Sequence, residues 1–159
     1  MDVFINCPFS DDYEEMFRAA VFAVIRCGFR ARCAQEDDDG GDVRMEKICR
    51  IIRECQYGIH DISKTELDAS TKLPRFNMPL ELGLFIGAKK FGTSGQPAKK
   101  ILILDRELYR YQKFISDIAG QDVHAHNGTK RQVVLESVNW LRLENPKGRI
   151  PGGAAVADQ

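Results

Sequence analysis

The segment Arg75-Phe76-Asn77-Met78-Pro79-Leu80-Glu81-Leu82-Gly83-Leu84-Phe85-Ile86-Gly87 carries one carboxylate among apolar residues at the start of what reads as a helix. Asn77 suits the N-cap, where its side chain accepts a backbone N–H, and Pro79 in the first turn loses no helical hydrogen bond. Glu81 is therefore expected one turn into the helix. The positive end of the helix dipole favours its charge there, while apolar neighbours raise its pKa by desolvation. Both effects tune a reactive acid, and they make Glu81 the leading catalytic candidate. A glutamate at this position also serves simply to complement the dipole.

Other residues carry weaker chemical signals. His60 could titrate near neutral pH and act as an acid for a leaving group, though a packed core histidine is the default reading, and Asp61 beside it could orient a hydroxyl or cap the turn at Ser63. Neighbours on a strand point to opposite faces, so the two are not expected to share one pocket. His124 and His126 would share a strand face, yet no cysteine or carboxylate motif accompanies them, and the acid-rich run Glu36 to Asp42 reads as an exposed turn rather than a Mg²⁺ loop. No metal site is expected. Arg106 and Arg110 with Tyr109 and Tyr111 could hold phosphates and stack on a base, or could form a solvated amphipathic helix.

These residues need elements to position them. Val3-Phe4-Ile5 reads as a first strand, stopped at Asn6-Cys7-Pro8-Phe9-Ser10. Ser10 or Asp11 can cap a helix whose apolar positions run from Met16 to Ile25 and which Gly28 closes. Phe29 to Cys33 follows as a second strand. Asp42 can cap a second helix with Val43, Ile48, Ile51, Ile52 and Cys55 on its apolar face, and Tyr57 to Ile62 is a third strand. The Glu81 helix then runs to about Lys90. Lys100 to Leu104 is an unbroken apolar strand of the kind covered on both faces. A helix over Glu107 to Ile118, an edge strand over Asp122 to His126 and a helix over Gln132 to Leu143 complete the domain. Beyond Pro146 the composition turns to Gly, Ala and Pro, which predicts a disordered tail over 146–159.

Alternating strands and helices predict one α/β domain over 1–145, a three-layer sandwich with an open, mainly parallel sheet of four to five strands and helices on both faces. Ligands in such sheets bind beyond the carboxyl ends of the strands, where strand order reverses. The residues expected there are Asn6, Cys7, Pro8 and Phe9 after the first strand, the acidic Gly40-Gly41 loop after the second, His60 and Asp61 at the third, Asp105 and Arg106 after the fourth, and Asn77, Met78 and Glu81 opening the helix after the third.

Phe4-Ile5-Asn6-Cys7-Pro8-Phe9, Ile59-His60-Asp61 and Met78-Pro79-Leu80-Glu81-Leu82-Gly83 together resemble the nucleoside 2-deoxyribosyltransferase family and the related TIR-like domains, over roughly residues 3 to 105. The resemblance implies a flavodoxin-like fold. In the transferases a glutamate opening such a helix is the nucleophile that breaks an N-glycosidic bond; in TIR domains a comparable glutamate cleaves NAD at the nicotinamide riboside bond. On that resemblance Glu81 would be nucleophile or stabiliser of a ribosyl cation. Asp61 would bind base or sugar hydroxyls, and Pro8 and Phe9 would shape the pocket wall. Position at the sheet edge and the start of the helix, rather than the resemblance, adds Asn6, Cys7, Asn77, Met78 and Arg106 as substrate contacts; the resemblance makes NAD a substrate rather than a cofactor. A role in bacterial antiviral defence, with self-association or a defence-system partner, is implied at the family level. Where many transferases carry Asp-Ser-Gly-Thr before the glutamate, this chain has Arg75-Phe76-Asn77-Met78.

Composition sets the outer bounds. With 159 residues the chain can bury roughly two thirds of its unfolded surface without disulfides or metals. Lys plus Arg and Asp plus Glu both number 23, which gives no general attraction to nucleic acid or anionic membranes. No apolar run reaches the ~20 residues of a membrane span. Five cysteines without a CxxC pair suit core packing in a reducing, cytoplasmic setting.

Overall fold

A computed structural model describes residues 1–36, 41, 43–145 and 148–159. Most of the acidic turn and the Asp42 cap expected for the second helix lie outside the described residues. Five strands, β1 (Asp2–Asn6), β2 (Arg30–Arg32), β3 (Tyr57–Asp61), β4 (Lys100–Asp105) and β5 (Val123–Ala125), form one parallel sheet in the order β2-β1-β3-β4-β5. Among the described residues five α-helices accompany it: α1 (Glu14–Arg26), α2 (Arg44–Glu54), α3 (Asn77–Phe91), α4 (Lys130–Leu141) and α5 (Gly153–Ala157). This is a flavodoxin-like three-layer α/β fold, as the alternation of elements predicts. Strand order reverses between β1 and β3, so the carboxyl ends of those two strands flank the crevice where ligands bind in such sheets.

Strand alternation builds two cores. Val3, Ile5, Tyr57, Ile59, Leu102 and Leu104 face the layer of α1, α4 and α5, where Ala20, Ala23, Val24, Val133, Val138 and Leu141 are buried. The intervening Phe4 faces Ile48, Ile51, Ile52 and Phe85 of α2 and α3, and Ile103 packs with Leu82. Gly58 is required on that second face. A β-carbon there would come within 2.6 Å of His60 Nε2 and 2.9 Å of Phe85 Cζ, so both rings fit only over a bare backbone.

Two expectations fail, each for a physical reason. Glu107 to Ile118 does not form a helix; it makes two short 3-10 turns, Arg110–Lys113 and Ser116–Ile118, after Tyr109 turns left-handed at φ 61°. Arg110 folds back on the buried Asp105, with Nε 2.9 Å from Oδ1, and also donates to Ser63 O at 2.6 Å and Thr65 Oγ1 at 2.9 Å. A buried charge that needs its partner five residues away outweighs helix periodicity. The expected tail instead carries α5. A β-carbon on Gly153 would meet Leu135 O at 2.5 Å, so glycine lets α5 lie against α4, where the Gly153 N–H donates to Asn139 Oδ1 at 3.0 Å and Val156 is buried.

Lys99 shows how α2 is ended. Only 1% exposed, it lies beneath the helix, its ammonium donating to Ile52 O at 2.6 Å and to Cys55 O, and 4.6 Å from the Phe85 ring centre. The charge answers carbonyls left open at the helix C-terminus. Lys99→Met keeps the buried stem and leaves those carbonyls unpaired, so we expect a loss of about 2–4 kcal/mol, or roughly 5–15 °C in thermal midpoint, with the fold retained. Calorimetry checks this; an unchanged midpoint would show that the carbonyls find other partners.

Candidate active site

Asn6 and Met78 set the site. Asn6 ends β1, is buried, and its amide donates to Met78 O at 2.8 Å while its Nδ2 also lies 3.0 Å from His60 Nδ1. The end of the first strand thus holds the first turn of α3. That helix begins with Phe76 as its N-cap residue and Asn77 as its first helical residue. Asn77 makes no side-chain cap, contrary to expectation; Phe76 O accepts the Leu80 N–H at 3.0 Å, and Pro79 in the first turn needs no acceptor. Met78, Glu81, Leu82 and Phe85 are the buried residues of α3 and follow core spacing. Glu81 occupies a core-facing position.

Glu81 lines a cavity of about 320 Å³ at the crevice between β1 and β3, at the lower end of the sizes that hold small ligands. Pro8, Phe9 and Ser10 form one wall, Arg44 at the start of α2 a second, and Lys64, Glu66, Leu67, Asp68 and Ala69 with Arg75 a third; Asn77 and Met78 complete it beside Glu81. Only 5% of Glu81 is exposed, and among the described residues its carboxylate makes no hydrogen bond or ion pair, with Oε2 fully buried and unpartnered. Burial lifts its pKa to about 7, against a smaller opposing attraction from the Arg44 charge. A carboxylate in this condition is basic, poorly solvated and able to act as nucleophile, acid or electrostatic partner of a cation.

The structure brings Pro8, Phe9, Asn77, Met78 and Glu81 to this cavity and places the other expected residues elsewhere. Asn6 is a brace beneath it. Cys7 is buried in the α1 core with its thiol pushed well above the ordinary range by burial. His60 is completely buried against Phe4 and Phe85, and desolvation drops it to about 3, so it is neutral and cannot be the acid. Asp61 points to the opposite face, as strand alternation requires. Its Oδ1 accepts the Ser63 N–H at 2.9 Å, and Oδ2 accepts the Tyr13 hydroxyl and lies 3.3 Å from His126 Nε2. Burial opposes its charge, but His126, Ser63 and Tyr13 together hold it below the ordinary carboxylate value. With these contacts and 3% exposure it does not offer itself to a sugar hydroxyl.

Arg106 is paired with Glu66 at 2.8 Å and lines a neighbouring cavity with Tyr13 and His126, beyond the ridge of Lys64, Glu66 and Leu67. His124 bonds Glu136 at 2.7 Å, apart from His126, and no group of three or more His, Cys, Asp or Glu among the described residues is placed to hold a metal. Sequence reasoning missed the cations Arg44, Lys64 and Arg75. Arg44 could have been found, because α2 starts at the same sheet edge as α3. Lys64 and Arg75 belong to a loop whose path is set by long-range partners.

No protein-family model matches the sequence, and no curated protein is significantly similar to it. No helix among the described residues is long and apolar enough to cross a membrane.

The unpaired carboxylate has a stability signature. The folded-state pKa of about 7 lies above the unfolded value near 4.5, so the cost is absent below pH 4.5 and grows as pH rises through about 7. Glu81→Gln stays neutral throughout. The stability of the variant relative to wild type should therefore rise by on the order of 2–3 kcal/mol between pH 4.5 and pH 8. Chemical denaturation at several pH values measures it; a difference that does not change with pH would mean that Glu81 is solvated or paired.

Proposed function

We propose that the chain is an N-glycosidase that cleaves or exchanges the N-glycosidic bond of a nucleotide, with NAD the leading substrate, nucleosides second, and Glu81 carrying the chemistry. The observation that supports this most is the buried, unpartnered Glu81 carboxylate facing a ligand-sized cavity at the crevice between β1 and β3. Breaking the bond between the anomeric carbon and a base develops positive charge on the sugar, and a poorly hydrated carboxylate stabilises that charge strongly or bonds to the carbon. The bond electrons leave with the base. Water, or another nucleophile on the substrate, then takes the anomeric carbon and completes hydrolysis, transfer or cyclisation.

The leaving group favours NAD among these substrates. His60 is neutral and buried away from the cavity, and the lining acid Asp68 is paired with Arg75, Glu66 with Arg106. Nicotinamide is a cationic pyridinium in NAD and departs neutral, so it needs no proton from the protein. A purine leaving a neutral nucleoside does need one. Pro8 and Phe9 offer an apolar wall for a ring. A cytoplasmic role in bacterial antiviral defence, through NAD loss or a cyclised product, follows from the resemblance to TIR-like domains.

Mass spectrometry of the concentrated protein with NAD, NADP and a nucleoside panel tests the reading. Wild type is expected to release nicotinamide, and Glu81→Gln to release it at least ~100-fold more slowly with ligand binding kept. Unchanged substrates, with a nucleotide retained by both proteins, would make the domain a nucleotide-binding signalling module instead.

A further inference from the structure

Three cations line the Glu81 cavity, and their circumstances differ. Lys64 is held by Asp12 at 2.7 Å and by Ser10 Oγ at 2.9 Å, and Arg75 is paired with Asp68 at 3.1 Å. Arg44 makes no hydrogen bond or ion pair among the described residues, although it faces the same cavity from the first turn of α2. The positive end of that helix adds to its charge. Across the cavity, Glu81 is nine-tenths buried and also unpartnered. A cation and a carboxyl group therefore border one space without bonding to each other, and the Arg44 charge offsets only part of the burial that raises Glu81.

A ligand that satisfies both has an anionic group at one end and an electron-poor carbon at the other. Guanidinium presents a planar fork of donors that matches phosphate. We propose that Arg44 is the specificity-determining residue of this cavity: it takes a phosphate of the substrate, and so admits phosphorylated nucleotides in preference to bare nucleosides. This rests on the reading of the cavity as a nucleotide site. Lys64 and Arg75 contribute less, because Asp12 and Asp68 already neutralise them.

Calorimetric titration of the full chain with ADP-ribose, inorganic pyrophosphate and adenosine tests the assignment apart from catalysis. Arg44→Gln, at an exposed position, should fold with an unchanged melting temperature. It should weaken ADP-ribose and pyrophosphate at least tenfold while changing adenosine affinity less than twofold, and should flatten the loss of ADP-ribose affinity with added salt. Lys64→Gln should change ADP-ribose affinity less than Arg44→Gln does. Equal ADP-ribose affinity in wild type and Arg44→Gln, or a larger loss from Lys64→Gln, overturns the assignment; nicotinamide release that still depends on Glu81 would leave the glycosidase reading standing. Wild type that binds no ADP-ribose overturns it as well, and if no base is released either, both readings fall.

Discussion

The candidate site depends on the side-chain amide of Asn6. Its donor nitrogen faces two acceptors, the Met78 carbonyl and His60 Nδ1, and so joins the last residue of β1 to β3 and to the first turn of α3. Glu81 follows Met78 by three residues on the same helix face, while Leu82 and Phe85 below it are fully buried. A carboxylate with no partner would gain several hydrogen bonds by rolling outward into water. It is kept in place because the helix start is bonded from beneath and the next turn is held by packing. The energy stored in the raised pKa is small beside the burial of Phe85 and Leu82 together with Phe4 and Ile103, so the fold can carry it.

Two buried carboxylates at the crevice edge are treated in opposite ways. Asp61 receives a tyrosine hydroxyl and a backbone N–H and lies near a histidine, and it stays charged; Glu81 receives nothing and shifts toward neutral pH. The histidine is oriented for this. His126 Nδ1 accepts the Gly128 N–H at 3.0 Å, which leaves Nε2 to carry the proton toward Asp61. Asp61 thereby fastens the turn before α1, the end of β3 and the loop before α4 to one another. One crevice edge thus holds an acid kept charged by its partners and another raised by burial alone.

Much of this is legible in the chain. Periodicity gives the strands, the main helices and the sheet type, because burial on both faces of β4 and alternation through β3 leave direct compositional traces. Glu81 is legible for the same reason: Met78, Leu82 and Phe85 define a core stripe, and a glutamate within it contradicts the pattern. Pro8, Phe9, Asn77 and Met78 follow from the sheet edge alone. For Asp61 the turn cap at Ser63 is legible locally, whereas its other partners are not, because Tyr13 lies 48 residues away and His126 comes from a further loop. Asn6 is misread for an equivalent reason, its partner Met78 being 72 residues distant. The tail is misread because Gly153 looks like a breaker in composition but acts as a contact surface for α4.

Arg110 shows why the cavity wall is the hardest part to read. Taken with its aromatic neighbours it looks like a ligand contact, yet its guanidinium is committed to Asp105, Ser63 and Thr65. Through the last two it fixes the start of the loop that supplies Lys64, Glu66, Asp68 and Arg75 to the cavity. Farther along, Asp68 Oδ1 accepts the Ser70 N–H at 2.9 Å and the Thr71 N–H at 3.1 Å, and Leu67 bridges to Pro74, so this end of the loop closes on itself. A segment without helix or strand is thus held by one half-buried arginine at its base and one aspartate at its tip. The other charges that line the cavity are paired, Lys64 with Asp12, Glu66 with Arg106 and Asp68 with Arg75, and this is what leaves Glu81 and Arg44 conspicuous. Among the described charged residues that line the cavity, these two alone are left without a hydrogen-bond or ion-pair partner.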